Sequence, residues 1–191
     1  YQSNPNYLNE AEEMTLKALE LSPKRQQSFY VLGKTKLLKG DIAGAYKAFE
    51  DAVSANPDSA EPHFYFALMA YGLGDSKKGV AELAEAERLG RGPQKIEEFV
   101  ILGNYVGDLN NDYKKAIEYY KAALGFFDNN FTSPIIVRDE VTLKLAIAYY
   151  FDHNYDKSRE TFLKLKKTID LKSLPIYPDL KVEILQGLGI E

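Results

Sequence analysis

Apolar residues recur every three or four positions along most of the chain, and polar turns rich in Gly, Asp, Asn and Pro separate the apolar runs. Phe29, Leu32 and Leu37 share one helical face, and Gly40-Asp41 then interrupts the pattern. This spacing is typical of amphipathic helices, with a glycine that ends one helix and an aspartate that caps the next. It predicts ten helices, at about 7–21, 26–39, 42–55, 60–73, 76–89, 94–107, 112–127, 134–152, 155–168 and 178–187.

The pattern also repeats with a period of 34 residues. Ala18 recurs as Ala52 and again as Ala86, and Gly40 recurs as Gly74. Later copies are shifted by 37 and 42 residues, and the extra residues fall in turns. Helix pairs repeated at such a period stack on their neighbours and bury a continuous core. We therefore predict an all-α fold built from stacked helix pairs.

Within a unit, an aromatic residue, Leu-Gly, two alanines around a second aromatic residue and a proline follow in a set order. The unit at 26–59 carries this order through Phe29, Leu32, Gly33, Ala45, Phe49, Ala52 and Pro57. The pattern resembles the tetratricopeptide repeat (TPR). The resemblance implies a right-handed α-α superhelix, or TPR solenoid, that forms a single domain over residues 1–191. Its parts are a half unit at about 7–23, four complete units at about 26–59, 60–93, 94–130 and 134–168, and a capping helix at about 178–187.

Two residues depart from the pattern of the repeat. Lys36 stands where a large apolar residue is usual, and Gly79 stands where alanine is usual. Glycine inside a helix costs about 1 kcal/mol relative to alanine. We expect both residues to weaken local packing without changing the fold.

A short stretch carries a second, narrower resemblance. The run LSPKRQQ at residues 21–27 is similar to one in the TPR tails of some bacterial O-antigen ligase-like or polymerase-like membrane proteins. That resemblance implies a soluble accessory domain of an envelope-polysaccharide membrane protein, with its catalytic residues upstream. Because the chain begins at Tyr1 inside half a unit, we expect it to be a fragment of a longer protein.

Charge and composition narrow the classes of partner. The net charge of −4 and a pI near 5.4 argue against nucleic acid, which requires a clustered basic surface. No apolar run approaches the length of about 18 residues that a membrane span needs. We expect no direct membrane insertion and a soluble, cytoplasmic protein, tethered to a membrane only if a preceding region does so.

Residues that could carry chemistry are few. The chain has no cysteine, and its two histidines, His63 and His153, have no partner at metal-ligand spacing, so we assign them structural or solvent-exposed roles. The glycines lack the Lys-Ser/Thr of a phosphate loop. The run Asn130–Thr132 fits a glycosylation acceptor but is interpreted as a turn. We expect no enzymatic activity, catalytic residue, metal or cofactor.

The remaining candidate is the inner surface that the first helices of a solenoid line. Their projection predicts a partner-binding groove formed by Gln27, Tyr30, Lys34, Phe64, Leu68, Tyr71, Asn104 and Tyr150. Exposed aromatic residues give large contact areas at low entropic cost, although Tyr30, Phe64 and Tyr71 equally fit an inter-helix core. The family's carboxylate clamp for peptide C-termini is not expected, because only Lys34 is basic at the matching positions.

The leading hypothesis is a non-enzymatic scaffold whose groove binds a peptide or a partner helix. One alternative is the accessory domain of an O-antigen ligase-like membrane protein described above. The other is a self-assembly module, in which the exposed N-terminal half unit binds a second copy of the chain.

Overall fold

The structure is a computed structural model that describes residues 5–129, 137–171 and 178–190. The described residues form ten α-helices: α1 (Pro5–Leu21), α2 (Gln26–Leu38), α3 (Ile42–Ala55), α4 (Ala60–Gly72), α5 (Ser76–Arg88), α6 (Ile96–Asp108), α7 (Tyr113–Asp128), α8 (Arg138–Phe151), α9 (Tyr155–Lys166) and α10 (Pro178–Gly187). The predicted all-α fold and its ten helices are confirmed. The predicted start of the eighth helix at 134 and the run Asn130–Thr132 lie outside the described residues.

The chain divides into two compact units, Tyr1–Gly92 and Pro93–Glu191. The first unit contains α1 to α5, and the second contains α6 to α10. Within each unit, helices that follow one another in the chain pack together as far as α9, and α10 packs against α8. The expectation of a single domain over 1–191 stays a prediction.

The turn inside each helix pair ends with two residues that have fixed roles. The first of the two has a positive φ, as in Gly40 (77°), Gly74 (83°), Asn111 (54°) and His153 (59°). The second caps the next helix, as Asp41 does by accepting a hydrogen bond from the Gly44 backbone N–H at 2.8 Å. Because glycine takes a positive φ without steric cost, it suits the first position better than the asparagine and histidine of the second unit.

An aromatic ring lies directly against a helical glycine in three helix pairs. A Cβ added to Gly33 would lie 2.7 Å from the Phe49 ring, and one added to Gly103 would lie 2.6 Å from the Tyr120 ring. In the pair formed by α4 and α5 the arrangement is reversed, because the ring belongs to the first helix. A Cβ on Gly79 would lie 2.7 Å from the Tyr71 ring, so Gly79 permits close packing and does not weaken it.

The second departure from the repeat pattern, Lys36, also has a structural role. Its ammonium group lies 2.6 Å from a Glu12 carboxylate oxygen and 3.1 Å from one of Asp41. The other oxygen of Glu12 lies 2.5 Å from the ammonium group of Lys39. The pairs join α1 to α2, so Lys36 contributes an ionic contact where the family usually has an apolar one.

The C-terminal helix completes the core of the second unit. Ile184 of α10 is fully buried in a cluster with Leu143 of α8 and Phe162 of α9. Ile190, which follows α10, is buried in the same cluster. Helix α10 therefore covers apolar surface of the last helix pair.

Replacing Gly33 with alanine tests the contact between glycine and ring. We expect Gly33→Ala to lower the free energy of unfolding by about 1–3 kcal/mol, because the added methyl group must displace the Phe49 ring or the helix. The measurement is urea unfolding followed by circular dichroism. Gly125→Ala is the matched control, since Gly125 lies in α7 with no atom within 4 Å of an added Cβ, and it should gain about 0.5–1 kcal/mol. A Gly33→Ala variant as stable as the parent would contradict the packing argument.

The Glu12 contacts predict a dependence of stability on pH. Hydrogen bonds from Lys36 and then Lys39 hold the pKa of Glu12 below its ordinary value of 4.5. A carboxyl group with a lowered pKa contributes stability above its ordinary pKa, and the contribution is lost as the pH falls through the folded-state pKa. We therefore expect Glu12→Gln to destabilise the chain by about 1 kcal/mol at neutral pH.

The difference in unfolding free energy between Glu12→Gln and the parent should disappear in acid. Urea titrations between neutral pH and acid measure it. The exposed Glu20 of the same helix provides the control variant Glu20→Gln, which should show no such trend. If Glu12→Gln lowers the free energy of unfolding by the same amount at every pH, the ionic contact is contradicted.

Candidate partner-binding site

Helices α2 and α4 of the first unit meet through a cluster of aromatic and charged side chains. The ring centroid of Tyr30 lies 6.0 Å from that of Tyr65, with the rings inclined at 60°. The ammonium nitrogen of Lys34 lies 3.7 Å from the Tyr65 ring centroid, where the negative face of the ring attracts a cation. Together with Glu61, these residues form a cluster that we call the α2–α4 face (Tyr30, Lys34, Glu61 and Tyr65), in which Tyr65 is buried and the other three are partly exposed.

Glu61 connects this face to a buried arginine. One carboxylate oxygen accepts a hydrogen bond from the Tyr30 hydroxyl at 3.4 Å, and the other accepts one from Arg91 Nε at 2.6 Å. The Arg91 side chain is only 7% exposed, its guanidinium carbon lies 3.9 Å from the Phe64 ring centroid, and it also donates to the Gly92 carbonyl. Because a buried cation requires a partner, Glu61 is held in place by Arg91.

The α2–α4 face keeps the Tyr30 hydroxyl protonated. Burial, and then the nearby Glu61 carboxylate, raise the pKa of Tyr30 well above its ordinary value of 10. The hydroxyl is a neutral hydrogen-bond donor at physiological pH, as an ordinary tyrosine is, and the raised pKa extends that state to more alkaline pH. It can donate to Glu61 or to a group on a partner.

The predicted groove residues of the first unit divide into two groups. Gln27 is exposed, and Tyr30 and Lys34 are half-buried. The other three belong to the core: Phe64 is 0% exposed, Leu68 5% and Tyr71 2%. Side chains this deeply buried do not reach a partner in this conformation. In this structure they pack between helices, which is the second role that the sequence allows for Phe64 and Tyr71.

The two predicted groove residues of the second unit make contacts within that unit. Asn104 of α6 is half-buried and accepts a hydrogen bond from the Tyr120 hydroxyl at 2.9 Å. Tyr150 of α8 is half-buried, and its ring centroid lies 5.4 Å from that of Tyr155. Tyr150 also packs against the core cluster that α10 completes. The partner-binding role of the groove residues stays a prediction.

A cavity of about 50 Å³ lies in the second unit, lined by α6, α7, α8 and α10. Its wall includes Tyr120, Phe151, Leu180 and Lys144. Burial lowers the pKa of Lys144, while nearby carboxylates oppose that shift. At about 10–15 Å³ for each water, the cavity has room for a few waters or the tip of one side chain.

The two histidines occupy different environments. His63 is buried in the first unit, where Nδ1 lies 2.5 Å from a Glu82 carboxylate oxygen and Nε2 lies 2.8 Å from the Pro57 carbonyl oxygen. His153 is exposed, and its Nδ1 lies 3.0 Å from the Tyr155 hydroxyl. These contacts are structural. Among the described residues, no three His, Cys, Asp or Glu side chains are grouped so that they could hold a metal ion.

Sequence reasoning did not include Glu61, Tyr65 or Arg91 in the groove. Glu61 and Tyr65 lie four residues apart on α4, and this spacing, which is visible in the sequence, places both on the same side of the helix. Arg91 follows α5 outside any helix, so no periodicity marks it. Its role is visible only from its contacts with Glu61 and Phe64.

The fold is that of an all-α helical-repeat protein, and comparison with known proteins shows which repeat and which solved structures it is similar to. Residues 26–59 match the model described as tetratricopeptide repeat. Among solved structures, MamA has a TM-score of 0.66 at 19% identity, covering 91% of this chain and 90% of that chain. YrrB, described as a TPR protein with an unusual peptide-binding site, has a TM-score of 0.65 at 14% identity, covering 93% of this chain and 92% of that chain.

A third solved structure, a thermophilic TPR protein from Thermus thermophilus, has a TM-score of 0.50 at 21% identity, covering 96% of this chain and 91% of that chain. No curated protein matches the chain. Residues 26–59 thus match the tetratricopeptide repeat that the repeat pattern predicts, and the chain shares its fold with solved TPR structures. The narrower resemblance to O-antigen ligase-like membrane proteins gains no support from these matches. Within the described ranges, no helix is both long and apolar enough to span a bilayer.

Proposed function

We propose that this chain is a non-enzymatic interaction scaffold and that its α2–α4 face binds a peptide or a helix of a protein partner. The observation that carries the proposal is the half-buried Tyr30, which lies beside the half-buried Lys34 on a helix of a TPR fold. TPR folds generally serve protein interaction. The peptide-binding site named for YrrB is a property of that protein, and it supports the same kind of role here.

The rigidity of Tyr30 supports its assignment as a binding residue. Its ring centroid lies 6.0 Å from that of Phe49 and 6.0 Å from that of Tyr65, so two aromatic neighbours fix its orientation. An aromatic side chain that is already ordered loses little entropy when a partner binds. Gln27 and Lys34 provide polar groups on the same helix.

Tyr30→Ala tests the proposed function. A peptide library displayed on phage is selected against the full chain, and the affinity of each selected peptide is then measured for the parent and the variants. We expect Tyr30→Ala to weaken binding about tenfold or more, because buried aromatic anchors dominate interface energy. Circular dichroism checks that helix content is unchanged.

Tyr155→Ala is the matched control, since Tyr155 is 48% exposed and lies in the second unit. It should bind the selected peptides as the parent does. Equal binding by Tyr30→Ala and the parent would remove the α2–α4 face from the proposal. A library that yields no binding peptide at all would count against the scaffold function itself.

Self-association is a second candidate function, favoured by the surface of α1. Tyr7, Met14 and Leu21 follow at intervals of seven residues and are 68%, 71% and 87% exposed. Residues seven apart lie on one side of a helix, so these form an apolar stripe. We expect light scattering at increasing concentration to show dimers that Met14→Glu abolishes. A mass that stays monomeric at all concentrations would exclude this function.

A further inference from the structure

The α2 part of the α2–α4 face, Tyr30 and Lys34, lies in a cationic stretch of an anionic chain. Residues 22–40 contain Lys24, Arg25, Lys34, Lys36 and Lys39 but no Asp or Glu, whereas the whole chain has a net charge of −4. The stretch includes all of α2 and the residues immediately before it. Its charge therefore differs from that of the rest of the protein.

Contacts inside the first unit neutralise only part of this charge. Lys36 and Lys39 pair with carboxylates, through Glu12 for both and Asp41 for Lys36. Lys24, Arg25 and Lys34 pair with no carboxylate in the ranges that the structure describes. Three cations therefore remain available to an anion from outside.

Lys34 is the one of these three that lies on the α2–α4 face. Its ammonium nitrogen is held 3.7 Å from the Tyr65 ring centroid, and its side chain is half-buried. A cation that is already oriented and partly removed from water binds an anion more strongly than a mobile surface lysine does. Lys34 is thus a defined point of positive charge on this face.

The carboxylate of Glu61, on the same face, does not neutralise the positive charge of Lys34. Both oxygens of Glu61 accept hydrogen bonds, one from the Tyr30 hydroxyl and one from Arg91. Arg91 supplies the positive charge that balances Glu61. An incoming anion therefore meets Lys34 beside a carboxylate that is already paired.

We infer that the α2–α4 face binds an acidic protein segment, in which an Asp or Glu side chain pairs with Lys34 and a neighbouring apolar side chain packs on Tyr30. This inference rests on the proposed function and specifies its partner. Lys24 and Arg25, which immediately precede α2, add attraction for an acidic segment that extends along α2 toward them, because attraction between charges acts over a Debye length of about 8–10 Å. A basic segment is repelled by the same charges, and a neutral one gains only the aromatic contact.

Fluorescence anisotropy with three labelled peptides tests the partner class. All three have the same length, the same spaced leucine and phenylalanine residues and an amidated C-terminus, and they carry Glu, Gln or Lys at the intervening positions. We expect the Glu peptide to bind the full chain about tenfold more tightly than the Gln peptide in low salt, and the Lys peptide to bind most weakly. The preference for Glu should shrink at about 0.5 M salt, because screening weakens the ion pair.

Substitution of Lys34 tests its role as the pairing residue. Lys34→Gln should remove most of the preference for the Glu peptide over the Gln peptide, measured as the ratio of the two affinities within the same variant. The control is Lys47→Gln on α3, because Lys47 is exposed and already pairs with Glu50 and Asp51. It should keep the full preference, and circular dichroism verifies that both variants fold.

The outcomes separate the partner class from the scaffold function. A Gln peptide that binds as tightly as the Glu peptide, or a Lys34→Gln variant that keeps the full preference, overturns the acidic partner and leaves the scaffold function standing. Failure of all three peptides also overturns the acidic partner. The phage library, which has no charge bias, then decides the scaffold function independently.

Discussion

The close approach of an aromatic ring to a helical glycine sets the geometry on which the first unit depends. Phe49 reaches the backbone of Gly33 because that residue has no side chain. The same Phe49 ring stacks on Tyr65, with centroids 5.5 Å apart and planes inclined at 20°, and it also contacts Tyr30. The separation of α2 and α3 therefore fixes the aromatic residues of the α2–α4 face, so packing and the proposed binding share one set of contacts.

Charged residues in the first unit serve two different purposes. Glu12 and Glu61 each hold a basic group of another segment, Lys36 in one case and Arg91 in the other. These contacts satisfy charges that would otherwise be poorly solvated. Lys34 is different, because within the described residues its ammonium group contacts the face of the Tyr65 ring and forms no ion pair with a carboxylate. A ring face attracts a cation less strongly than a carboxylate does, so Lys34 can exchange that contact for a better one.

The helices could be predicted from the sequence because each pair repeats the same apolar spacing and the same turn residues. The packing roles of Gly79 and Lys36 could not, since each depends on one side chain from another helix. The burial of Phe64, Leu68 and Tyr71 could not be predicted for a further reason. Residues Pro62–Tyr71 of α4 are buried without interruption, so α4 has no polar side that a helical projection could identify. The exposed part of the face comes mainly from α2, together with Glu61 at the start of α4.

The residues at the turns inside helix pairs suit their backbone conformation better in the first unit than in the second. The two turns inside helix pairs of the first unit place glycine at the residue with positive φ, whereas the corresponding turns of the second unit place Asn111 and His153 there. A side chain at such a position costs about 1–2 kcal/mol, although asparagine bears it better than most residues. Local opening follows the weakest contacts of a fold. Amide hydrogens of the second unit should therefore exchange with solvent first, while the unit that carries the α2–α4 face remains folded.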